Sequence, residues 1–120
     1  MEKVLNIREA EELATEYEQI VEGRLFWGKD ALTQRTGFSH SDRCSLCGAI
    51  GFHGYEGKPK CENCVWQFGG EKVGEFACVN DNFRDLCSCT DEDDFYLLLA
   101  ARVKKLRAAI AAAKKERIVV

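Results

Sequence analysis

The sequence predicts a small α+β domain: a treble-clef or zinc-ribbon-like module flanked by an N-terminal helix and a long C-terminal helix. Three observations lead there. All seven cysteines lie between Cys44 and Cys89, and they include two C-x2-C pairs. The segment between those pairs carries short strand and turn signals. All ten glycines fall between Gly23 and Gly74, and the glycine-free ends repeat apolar residues at spacings of three and four.

Length and composition set the frame. A chain of 120 residues holds one domain. With 46% apolar and 31% charged residues it reads as globular rather than disordered. It is too short for a TIM barrel or a two-half Rossmann domain. No apolar run reaches the ~20 residues of a membrane helix. The start, Met1-Glu2-Lys3-Val4-Leu5-Asn6, lacks the apolar stretch of a signal peptide. A cytoplasmic protein with no membrane partner is expected. In that reducing setting an odd number of clustered cysteines reads as metal binding rather than as disulfides.

The first element is an acidic helix within 1–22. Asn6 is positioned to cap it, with Glu9 three residues on. Ile7, Ala10, Leu13 or Ala14, Tyr17, and Ile20 or Val21 form one apolar stripe, and Gly23 supplies a stop. Seven acidic and two basic residues give this segment a net charge of −5. Its glutamates read first as a solvated face, and more sharply as an acidic docking surface. Leu25-Phe26-Trp27 follows, then a short helical turn around 30–35.

The second element, over 40–78, is the metal module. Cys44, Cys47, Cys61 and Cys64 form C-x2-C-x13-C-x2-C. Each pair sets two thiolates on one side of an ion, which suits one tetrahedral Zn²⁺. Gly48 lets the first turn tighten so that backbone N–H groups face sulfur. Residues 49–53 and 55–60 read as a hairpin. The second pair has no glycine after it, and Cys64-Val65-Trp66-Gln67-Phe68 reads as a helical turn broken by Gly69-Gly70. That order favours a treble clef over a ribbon. The metal would replace core that a short middle cannot bury for itself. Cys78, Cys87, Cys89 and His40 are candidates for a second ion. The competing reading of those cysteines is small thiols packed at the hinge before the last helix. His53 lies inside the hairpin and reads as a packed or exposed side chain.

The third element is an amphipathic helix over 90–118. Thr90 is positioned to cap it, with Asp93 three residues later. Asp91, Glu92, Asp93 and Asp94 suit the positive end of the helix dipole, and Lys114, Lys115 and Arg117 the negative end. Phe95, Leu99, Val103 (or Arg102), Leu106, Ile110 and Ala113 form the apolar seam. Packing of that seam on the acidic first helix, antiparallel within the chain, is expected. Homodimerisation through it is the alternative.

Four thiolates leave zinc no open position, so the site is structural. The zinc-deaminase, metalloprotease, phosphate-loop and hydrolase-elbow patterns are absent from the sequence. A non-catalytic protein is therefore expected. Nucleic-acid binders usually carry excess positive charge, whereas this chain is neutral over 23–90 and −3 overall. A protein partner is the leading expectation. The alternative is a nucleic-acid-binding regulator using Arg102, Lys104, Lys105 and Arg107 on the last helix.

The run Cys44-Ser45-Leu46-Cys47, then Cys61-Glu62-Asn63-Cys64-Val65-Trp66, then Cys78, resembles a pattern in short cysteine-rich phage and prophage proteins. Those read CxLC, a spacer, CxxCPW or CxxCPL, a further cysteine and a closing amphipathic helix. The resemblance covers 44 to about 78 and, more loosely, the helix over 91–117. Val65 stands where the pattern has proline. The resemblance implies a phage origin and a host cytoplasm. It also implies that the four cysteines act as a unit, with Cys78 as a further ligand. It implies no activity.

Overall fold

A computed structural model describes residues 7–38, 64–68 and 81–119. Four α-helices account for most of them: α1 (Ile7–Gly23), α2 (Lys29–Thr36), α3 (Asp81–Ser88) and α4 (Glu92–Val119). Among the described residues a 3-10 turn, Val65–Phe68, lies between α2 and α3 in the chain. No strand occurs among the described residues, and their core is sealed by helix faces. The α+β class is thereby corrected to a helical one. The hairpin signals behind that class were short and local, and the stretch that carried them lies outside the described residues. The 3-10 turn falls where a helical turn was expected.

The long helix is the spine. α1, the 3-10 turn and α3 all pack on α4. Each residue of the expected α4 seam is buried: Phe95, Leu99, Val103, Leu106, Ile110 and Ala113, with Arg102 beside them. Tyr96 and Ala109 are buried as well, because α4 meets neighbours on more than one side. From α1 come Ala10, Leu13, Ala14, Tyr17 and Ile20. Burying a large apolar side chain contributes about 1.5–3 kcal/mol, so these stripes hold the helices together.

Charge sets the direction of the pair. Glu11 meets Lys114, Glu18 meets Arg107, and Arg24 meets Asp93 and Glu92. Later residues of α1 thus face earlier residues of α4, which makes the pair antiparallel. Exposed ion pairs are worth only ~0–1 kcal/mol each. They select an orientation that apolar burial then stabilises.

The ends of α1 and α4 differ by one residue from the simplest reading. α1 does stop at Gly23, but the left-handed residue is Arg24, with φ 50°. Arg24 N–H donates to Val21 O at 3.2 Å, and Leu25 N–H to Ile20 O at 3.0 Å. This is a Schellman closure. At α4 the cap is Asp91 rather than Thr90, and its Oδ2 accepts the Asp94 N–H at 2.9 Å. In α2, Gly37 takes the left-handed closing position (φ 76°) and donates to Thr33 O at 2.7 Å.

Candidate interaction surface and metal ligands

Between α1 and α2 the chain offers Leu25, Phe26 and Trp27 to solvent, at 47%, 41% and 42% exposure. The backbone beneath them is unusual. Arg24 (φ 50°), Phe26 (φ 51°) and Gly28 (φ 96°) all take left-handed values. Only Gly28 does so without steric penalty, and a bulky Phe is rare there. Such residues persist where their surroundings over-determine them. Here the Tyr96 hydroxyl donates to Leu25 O at 2.8 Å. Trp27 stands edge-on to Phe95, with centroids 5.1 Å apart. The Arg35 guanidinium lies 5.7 Å from the Phe26 ring centre while its Nε pairs with Glu16 at 3.0 Å. The loop is therefore a pinned apolar knob. The sequence carried a signal for it: three consecutive bulky apolar residues between Gly23 and Gly28 fit neither neighbouring helical spacing.

The four basic residues expected as one surface are not one surface. Arg102 is 2% exposed. Its guanidinium lies over Trp66, Phe38 and Phe83, at 4.6, 5.0 and 5.6 Å from the ring centres. Its Nη1 reaches Asn82 Oδ1 at 3.5 Å. Asn82 in turn donates to Leu98 O at 2.8 Å, and Phe38 stacks on Phe83 at 4.8 Å. Arg102 thus joins the end of α2, the 3-10 turn and α3 to α4, and cannot reach a phosphate from there. Arg107 is held by Glu18 and Thr15. Lys104 and Lys105 remain exposed. The α4 seam expected as a possible homodimer contact is buried within the chain.

Of the four cysteines expected to hold zinc, only Cys64 falls among the described residues. It is buried immediately before the 3-10 turn, in the same core cluster as Val65 and Trp66. Cys44, Cys47, Cys61, Cys78 and His40 lie outside them. Cys87, on the last turn of α3, and Cys89, between α3 and α4, are partly buried against the core, as hinge thiols would be. Burial raises the Cys87 thiol above its usual value, while Lys29 and Arg102 work in the opposite direction. The Cys89 thiol donates to Asp91 O at 3.1 Å. Among the described residues no three His, Cys, Asp or Glu are grouped to hold a metal.

An open groove of about 500 Å³ runs between α3 and α4, lined by Asp85, Cys89, Asp91, Asp94, Leu97 and Leu98. Much of the acidity around it has structural work: Asp91 caps α4, while Glu92 and Asp93 hold Arg24. No helix among the described residues is long and apolar enough to cross a membrane.

Compared with known protein families, with curated proteins and with solved structures, the chain matches none.

Proposed function

We propose that this protein is a non-catalytic protein-interaction module. Its docking element is the 25–27 loop, and one zinc ion on Cys44, Cys47, Cys61 and Cys64 anchors the middle of the chain to the helical body. One observation carries the reading: three consecutive large apolar side chains, each more than 40% exposed, on a backbone fixed by hydrogen bonds and ring contacts. Exposed aromatic anchors are the residues that dominate binding energy at interfaces. The zinc part rests on the spacing of the two pairs and is supported by the burial of Cys64. A ligand there would tie the metal to Trp66 and the core. Four thiolates make such a metal structural. The likeness of the cysteine pattern to short phage proteins supports a phage-encoded protein that acts on a host partner in the cytoplasm.

The test is a photo-crosslinking amino acid at position 26, compared with position 104 on the exposed side of α4. Position 26 is expected to give discrete adducts with a protein that binds the purified wild type and not Phe26→Ser. Equal labelling at both positions, or a partner indifferent to Phe26→Ser, overturns the reading.

A further inference from the structure

We infer that the 25–27 loop docks on an apolar protein face bordered by lysine or arginine, of the kind a basic amphipathic helix presents. The inference rests on the interaction reading above and names the partner's chemistry.

The surroundings of the knob are acidic. Glu22 precedes it on the last turn of α1, a turn with no basic residue. Asp30 follows on the first turn of α2. The first turn of α4 meets Arg24 through Glu92 and Asp93. Of the described cations nearby, Arg24 pairs with Asp93 and Glu92, and Arg35 with Glu16. Glu22 and Asp30 are exposed, and among the described residues around the knob Glu16, Glu22, Asp30, Glu92 and Asp93 stand against Arg24, Lys29 and Arg35, an acidic excess of two charges. An apolar anchor in an acidic setting is complementary to an apolar face with a basic rim, and such complementarity sets specificity and on-rate.

The same charges disfavour two other occupants. A second copy would bring like acids together across a two-fold axis, and an anionic lipid surface would be repelled. Area argues against a self-dimer too. At ~150–250 Å² per aromatic side chain, the exposed fractions of the three residues amount to roughly 300 Å². A stable interface takes about 800 Å² per partner. The knob therefore fits a small, separate recognition element.

The experiment uses the full chain and the fluorescence of Trp27, since the other tryptophan, Trp66, is buried. The probes are a synthetic amphipathic helical peptide of leucine and lysine, its leucine and glutamate counterpart, and vesicles of phosphatidylcholine with and without phosphatidylglycerol. The Leu/Lys peptide is expected to shift Trp27 emission to the blue. Its affinity should fall at least tenfold from low to moderate salt. Phe26→Ser should abolish binding, with the helical circular dichroism retained. Glu22→Lys with Asp30→Lys leaves the knob intact and should weaken binding of this peptide about tenfold.

Equal binding of both peptides, binding to either vesicle, or dimerisation in sedimentation that Phe26→Ser removes would each overturn the inference. Protein adducts at position 26 without charge discrimination sink the inference and spare the interaction reading. No adducts and no peptide binding sink both.

Discussion

The Arg102 guanidinium lies 4.6 Å from the ring centre of Trp66, inside the protein. Phe38 and Phe83 complete an aromatic setting around the charge, and Asn82 takes one of its N–H groups. A cation over an aromatic face is worth about 2 kcal/mol when desolvated, and here three rings share one cation. Arg102→Ala removes those contacts and leaves a void. The expected cost is about 3 kcal/mol in urea unfolding, in the range of large-to-small core changes. Lys104→Ala, two residues on and exposed, should stay within about 0.5 kcal/mol. Equal effects would contradict the interior position of Arg102.

Arg24 holds a strained backbone and a useful side chain at once. Its guanidinium meets Asp93 and lies 5.1 Å from the Tyr96 ring centre. Arg24→Ala loses those contacts and keeps the left-handed φ, whereas Arg24→Gly loses them and relieves the strain. Glycine should therefore be the more stable of the two by about 1 kcal/mol. Thermal unfolding of the two variants checks the order, and a more stable alanine variant would show that residue 24 is not left-handed.

The cap of α4 is testable in the same way. Asp91→Ala removes the acceptor for the Asp94 N–H and should cost about 1 kcal/mol. Thr90→Ala should cost little. The reverse ranking would move the cap to Thr90.

Alkaline pH should weaken the fold through Tyr96. Burial raises its hydroxyl above the usual tyrosine value, Glu92 adds to the rise, and Arg24 opposes it. The folded state then holds the proton more tightly than the unfolded state. Its contribution to stability is whole below about pH 10, the ordinary tyrosine value. It is lost as pH rises through that value and the higher folded one. Cys87, raised chiefly by burial, acts with the same sign from about pH 8.5. Urea midpoints should fall between pH 8 and 11. In Tyr96→Phe the fall should be smaller, and an unchanged slope would remove Tyr96 from the explanation.

Metal content separates the two readings of the cysteines. Native mass spectra should show one zinc per chain, lost with chelator and absent from Cys64→Ser. Two ions would bring Cys78, Cys87, Cys89 and His40 into the chemistry. A metal-free chain of native stability would remove the anchor from the proposed function.

The helices that pair in α1 and α4 were legible because their apolar residues recur at three and four over many turns, so one misjudged residue changes little. α3 was not, since in eight residues the C-x-C pattern of Cys87 and Cys89 outweighed the helical placing of Asn82, Phe83 and Leu86. Arg102 was legible only as an alternative to Val103 on the seam. Its partners, Phe38, Trp66 and Phe83, come from three separate stretches of chain, and no local pattern announces them. A charged residue on a helix reads as solvated until its aromatic neighbours are known. The 25–27 loop was visible as residues but not as a surface, because exposure depends on what α4 leaves uncovered.

The spine of the fold is also the last of the described elements to be made. Every described element that packs on α4 leaves the ribosome before it, and the contacts that join α1 to α4 span 89 residues at Arg107 and Glu18 and 103 at Lys114 and Glu11. Until α4 emerges, the apolar stripe of α1 and the aromatic rings that will surround Arg102 lack the helix that buries them. The described elements before α4 are therefore made while the apolar stripe of α1 still lacks its α4 partner. The run of glutamates on α1, modest as a source of stability, keeps that helix in solution while it waits.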